Sequence, residues 1–359
     1  MRSGRDREGT WEVAHRRWRE TGCAAVVLAA LQIGLARGEN RAIDGSGNHP
    51  NFPQQGAANA PLVRAGYAPA YANLFGAMLT DAQRTNPRTL SNALFAQSVS
   101  TPSARGLSNY LWVWGQFLDH DMGLSSTSAG AAVNGSAPIA VTTPGDPLGP
   151  NPIAFTRSNF VLIGHREQVN EVTSYIDGSQ VYGSNATRAA ALRTAGGTGA
   201  KLLTSANNLL PYNTAGLPNQ NNSPTPANQL FLAGDVRANE NLLLTSMQTI
   251  FVREHNRLVD LIAVQQPGLN AEQQYQLARK LVGAQIQAIT YREFLPALLG
   301  SGAPTAQGYQ YKLGEDPSMT NSFAHAAFRF GHSTITSHVN LVNAAGVQTG
   351  TMTLGAISS

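Results

Sequence analysis

The segment "LWVWGQFLDHDMG", Leu111 to Gly123, is apolar for most of its length and closes on Asp119, His120 and Asp121. Apolar runs bury themselves, and buried ionisable groups are costly unless paired, hydrogen-bonded or bound to a metal. On a helix, Gln116 and His120 lie four apart on one face, with Asp119 about 100° to one side and Asp121 on the other flank. One turn would then offer a base to a cavity and a carboxylate to each margin. The plain alternative is a helix end where polar residues emerge into water.

Three further segments bear on that choice. "GDVRANEN" sets Arg237 and Glu240 three apart at the start of an apolar helical pattern. The helix dipole favours a carboxylate there, so Glu240 has a capping explanation, whereas a cation such as Arg237 opposes the dipole. "TSYIDGSQVYGS" puts oxygen groups at Thr173, Asp177 and Ser179, with the backbone at Tyr175. A hard cation such as Ca²⁺ takes about six to eight oxygens from a turning loop, so a further donor such as Asp121 is needed. An Asp-Gly turn before a strand is the common reading of such a stretch. "FAHAAFRFGHSTI" places His332 after a Phe-rich run expected to be buried, with His325 and His338 as nearby rivals.

Taken in order, "WGQFLDHD", "TSYIDGSQVYGS", "GDVRANE", "FVREHNRL" and "FRFGH" resemble the animal-type haem peroxidases, the family of myeloperoxidase, lactoperoxidase and peroxinectin. Upstream "IDGSGN" and "PRTLSNALFAQ" resemble its bacterial and invertebrate branch, and the likeness runs from about Arg41 to about Asn340. The resemblance implies a mainly α fold around a buried haem b, with long loops and little β structure. It implies His120 as the distal base, Arg237 as its partner, Gln116 as the distal glutamine and His332 as the proximal iron ligand. Asp119 and Glu240 match the carboxylates that form esters with haem methyl groups. Asp121, Thr173, Tyr175, Asp177 and Ser179 match a calcium site, and Arg329 matches a position near a haem propionate. The implied reaction reduces hydrogen peroxide at the expense of a halide, thiocyanate or small organic donor.

Two departures qualify this expectation. Asn241 stands where myeloperoxidase has the methionine of its sulfonium link, so at most two covalent links are expected. Family members continue beyond the proximal histidine and supply an asparagine to its second ring nitrogen. No such asparagine can be assigned here, and the domain, 38–359, is expected to be incomplete at its C-terminal side. Two other readings stand beside the peroxidase: an inactive or adhesion-type protein on the same fold, and a fatty-acid dioxygenase. The latter places a tyrosine three residues before the proximal histidine, where this chain has Arg329.

The bulk composition agrees with a folded enzyme. Of 359 residues, 42% are hydrophobic and 13% charged, unlike a disordered chain. Net charge is +4, and seven arginines against four acids before Glu39 account for +3 of it, so no basic stripe is left for nucleic acid. Cys23 is the only cysteine, so no intrachain disulfide can form. It opens "CAAVVLAALQIGLA", which follows "HRRWRE"; residues 1–37 read as an export signal or an N-terminal helix, too short for a stable membrane span. A secreted or periplasmic location follows. Residues 38–105, 124–160 and 196–229 read as loops. Helical patterns cover 106–123, 237–264, 271–294 and 320–331, with a capping box at Asn270 and Gln273, a stop at Gly300 and β alternation only in 339–354.

Overall fold

The computed structural model describes residues 40–357 apart from 67, 81, 100, 128–134, 221–223, 306 and 308–309. The export segment inferred for residues 1–37 lies outside the described residues. The architecture is mainly helical. Its principal elements are α1 (Pro87–Leu94), α2 (Tyr110–Met122), α3 (Ser179–Tyr182), α4 (Ala186–Ala191), α5 (Leu242–Gln265), α6 (Ala271–Ile289), α7 (Leu295–Leu299) and α8 (Asn321–His325). Among the described residues, five short strands are β1 (Ala60–Pro61), β2 (Phe160–Ile163), β3 (His165–Asn170), β4 (His338–Val342) and β5 (Gln348–Thr353).

The core is the contact of α2 with α5 and α6. Phe117 of α2 stacks on Phe251 of α5 with ring centroids 5.1 Å apart, and Trp114 tilts against both. Val252, Leu258 and Ile262 of α5 meet Ala278, Val282 and Ile286 of α6 in the same buried cluster. Trp114 also donates from Nε1 to Thr290 Oγ1 at 3.3 Å. Thr290 opens a π-helical turn, Thr290–Phe294, that joins α6 to α7.

The local signals behave as their chemistry requires. Asn270 and Gln273 form both bonds of the capping box, and Gly300 ends α7 at φ 59, a left-handed conformation that glycine adopts without Cβ strain. Five expectations are corrected. The arm at 38–105 contains α1, whose N-terminus is capped by Asn86 with Pro87 in the first turn. Strands β2 and β3 pair antiparallel from Phe160↔Gln168 to Ile163↔His165, with β1 on the other side of β3. The helix expected over 320–331 breaks at Ala326 (φ −133, ψ −67) into α8 and a 3₁₀ segment, Ala327–Thr334. The Phe-rich run is not buried: Phe323 is 40% and Phe330 46% exposed.

The fifth correction concerns the start of α5. The first helical residue is Leu242, and the cap is Asn241, whose Oδ1 accepts from Leu244 N at 2.9 Å. Arg237 and Glu240 therefore belong to the turn before the helix, closed by Glu240 N donating to Arg237 O at 3.0 Å. The arginine does not sit in the positive end of the dipole.

Candidate active site

Helix α2 carries its polar end into a cavity of about 520 Å³. Gln116, Asp119 and His120 line one side, joined by Arg237 and Glu240 from the turn before α5. His332 and Arg329 line it from the 3₁₀ segment, which packs against α2. His332 is itself exposed, whereas His120 is buried.

Burial, helped by the neighbouring Arg237 charge, pushes the His120 imidazole down to about 3. The ring is therefore held neutral throughout the physiological range, as a proton acceptor. Its Nδ1 lies 3.6 Å from Asp235 Oδ1 without a hydrogen-bond partner, and its Nε2 lies 3.8 Å from Glu240 Oε2. With the ring neutral, neither contact is an ion pair.

Asp235 is the residue that sequence reading missed. Its carboxylate accepts from Arg237 Nε at 2.9 Å, Arg237 Nη2 at 2.7 Å and Arg237 N at 2.7 Å. Burial opposes its charge, yet the charge and hydrogen bonds of Arg237, together with His120, hold the carboxyl below its usual range. Arg237 Nη2 also donates to Gly123 O at 2.9 Å, which fixes the guanidinium to the end of α2. A hint was present in "GDVR", an acid two residues before the arginine, but only folding shows that the two face each other.

The carboxyls at the cavity margin are shifted the other way. Burial raises Asp119 against the pull of Arg237, whose Nη1 is 3.7 Å away, and of Arg329 and His332. Burial likewise raises Glu240, against Arg237 and against the bond it accepts from Gln116 Nε2 at 2.7 Å.

Behind α2 the expected oxygen cluster assembles. Asp121 accepts from Ser179 N at 2.6 Å and Gly178 N at 3.2 Å, and Ser179 Oγ donates to Asp121 O at 2.6 Å. Asp177 Oδ1 accepts from Thr173 Oγ1 at 3.1 Å and from Ser179 N at 3.1 Å, and Thr173 Oγ1 lies 3.5 Å from Tyr175 O. Burial and the Asp177 charge raise Asp121 well above the usual range; Asp177 is raised by burial too. Asp177 Oδ2 is buried without a partner. Two buried carboxylates with an orphaned oxygen, two hydroxyls and a carbonyl are a donor set that suits a hard cation. Among the described residues no three His, Cys, Asp or Glu side chains gather as a metal site, so such an ion would rely on the hydroxyl and carbonyl oxygens.

Residues 40–357 match the animal haem peroxidase family. The chain belongs to this family. Among its relatives, it is 34% identical over 346 residues to peroxidasin homolog pxn-1 of Caenorhabditis elegans, covering 82% of this chain and 27% of that one. With peroxinectin A of Dictyostelium discoideum the identity is 32% over 317 residues, covering 83% and 58%. The solved structure of peroxidase A from Dictyostelium discoideum superposes with a TM-score of 0.79 at 30% identity, covering 89% of this chain and 65% of that one. The chain thus spans less than two thirds of the length of each. An Oryza sativa fatty acid alpha-dioxygenase superposes at TM-score 0.68 with 20% identity, covering 96% of this chain and 62% of that one, a likeness of fold alone. Family membership implies haem, and the cavity suits it: two imidazoles, a fixed guanidinium and two carboxyls are among the groups that line it.

Proposed function

We propose that this chain acts as a haem-dependent peroxidase that reduces hydrogen peroxide while oxidising a halide, thiocyanate or small organic donor. The carrying observation is that His120, Arg237 and His332, far apart in sequence, line one cavity. Haem b bound there supplies an iron and a conjugated ring that give up electrons to peroxide and regain them from the donor.

The chain's own residues do the rest. His332 would hold the iron. His120, neutral and buried, takes a proton from one peroxide oxygen and delivers it to the other, which leaves as water. Arg237, held by Asp235, offers fixed positive charge where negative charge grows as the O–O bond breaks. Asp119 and Glu240 would form the ester links to haem, at most two because Asn241 carries no sulfur. Arg329, at the cavity wall, would meet a propionate. Calcium held by Asp121, Thr173, Tyr175, Asp177 and Ser179 would lock the end of α2, and with it His120. The apolar run after "HRRWRE" supports export. Among the described residues no helix is long and apolar enough to cross a membrane.

The test begins with absorbance. Protein supplied with haem and Ca²⁺ shows a Soret band that shifts on adding peroxide, and His332→Ala loses it. His120→Ala keeps the haem but slows the peroxide step by roughly 10²–10⁴-fold; an unchanged rate refutes its role. The exposure of His332 favours one other reading, a non-catalytic scaffold on the same fold. Equally loose haem binding by the native chain and His332→Ala would support it.

A further inference from the structure

We propose that Asn241 is a positioning residue whose duty as a helix cap also fixes which way the Gln116 amide points, and so keeps a hydrogen-bond donor on Glu240. Resting on the peroxidase reading, the inference concerns how that cavity is kept in one state. An amide side chain can turn end for end, exchanging donor for acceptor at little steric cost. Gln116 stands between Asn241 and Glu240, and Glu240 alone does not settle its direction. A carboxylate there accepts from the amide NH₂, but a neutral carboxyl could donate to its carbonyl, and burial biases Glu240 toward the neutral form.

The cap breaks the tie. Asn241 Oδ1 is committed to Leu244 N at 2.9 Å, because the first turn of α5 has amide hydrogens with no partner inside the helix. Only Nδ2 then remains to face Gln116. It donates to Gln116 Oε1 at 2.8 Å, which turns Gln116 Nε2 toward Glu240 Oε2 at 2.7 Å. The oxygen held in this way is the one 3.8 Å from His120 Nε2. A requirement of backbone geometry is thereby carried through two amides into the cavity.

Asn241→Ser separates the two duties, since serine caps as well as asparagine but has no NH₂. The readout is side-chain amide hydrogen exchange of Gln116 in the haem-free protein, followed by ¹⁵N NMR with the resonance assigned by its loss in Gln116→Leu. Asn241→Ser is expected to keep the native thermal midpoint while Gln116 exchange accelerates by about tenfold, the factor one lost hydrogen bond is worth. Asn241→Ala should lose both, with a midpoint a few degrees lower. Unchanged Gln116 exchange in both variants overturns the proposal. Failure of the Soret test would count against the peroxidase reading instead, since the exchange measurement needs no haem.

Discussion

Arg237 is a buried cation, and a buried charge survives only with a partner. Asp235 supplies two bonds to its guanidinium and one to its backbone N–H, so Asp235→Ala leaves the guanidinium without its hydrogen-bonded carboxylate. That variant should lose on the order of 3 kcal/mol in chemical denaturation, the usual cost of breaking a buried pair from one side. A loss within error would show that the pair is not needed for stability. His255 gives a pH prediction at the same scale. It is fully buried, bonded through Nδ1 to Tyr182 Oη at 2.9 Å and through Nε2 to Ala200 O at 2.9 Å. Burial lowers its pKa to about 4. Between pH ~4 and ~6.5 the unfolded chain binds a proton that the folded chain refuses, so stability rises with pH across that window. The contribution is complete above the unfolded value and is lost on acidification, to a total on the order of 3 kcal/mol. His255→Gln should flatten this part of the stability profile measured by urea titration; an identical pH slope in both proteins would contradict it.

At the scale of elements, the site depends on how closely α3 approaches the loop before Arg237. Asp235 N donates to Gln180 O at 3.0 Å. Gly234 allows this, because a Cβ there would meet Gly183 N at 2.5 Å and Tyr182 N at 2.6 Å. These are backbone atoms with no flexible end to give way. Gly234→Ala should therefore destabilise the fold by about 1–3 kcal/mol, as overpacking does, and shift Asp235 away from His120. A crystal structure of the variant with α3 and Asp235 unmoved would refute this. Much at this scale could be read beforehand. The periods of α2, α5 and α6, the Asn270 capping box and the Gly300 stop are local, set by residues within a turn of each other. The start of α5 was misplaced because "RANEN" is compatible with a helix, and only Asn241's bond to Leu244 N shows where the chain enters it. The β2–β3 hairpin was hidden because "FVLIGHREQVN" has little alternation, and its Asn170 pins α2 by donating to Met122 O at 2.8 Å.

Across the whole molecule, the proposed calcium cluster ties the end of α2 to the 173–179 loop and α3. Two buried carboxylates repel each other there unless protonated or bridged by a cation. Added Ca²⁺ should raise the thermal midpoint of the native chain, and a chelator lower it, with about 2.7 kcal/mol gained at a hundredfold excess over Kd. Asp177→Ala should show no such response in scanning calorimetry; a midpoint insensitive to calcium in the native chain would remove the cluster from consideration.

By itself the sequence determined the family and the mainly helical architecture, and it named the candidates for the reactive groups: His120, Arg237, His332, Asp119, Glu240, and the oxygens from Asp121 to Ser179. These follow from residue types at local spacings, which persist wherever the segment sits. The tertiary structure alone decided the neutrality of His120, the grip of Asp235 on Arg237 and the meeting of His332 with α2 across one cavity. Desolvation and charge act through space, so a pKa or an ion pair depends on neighbours that the chain brings together only when it folds.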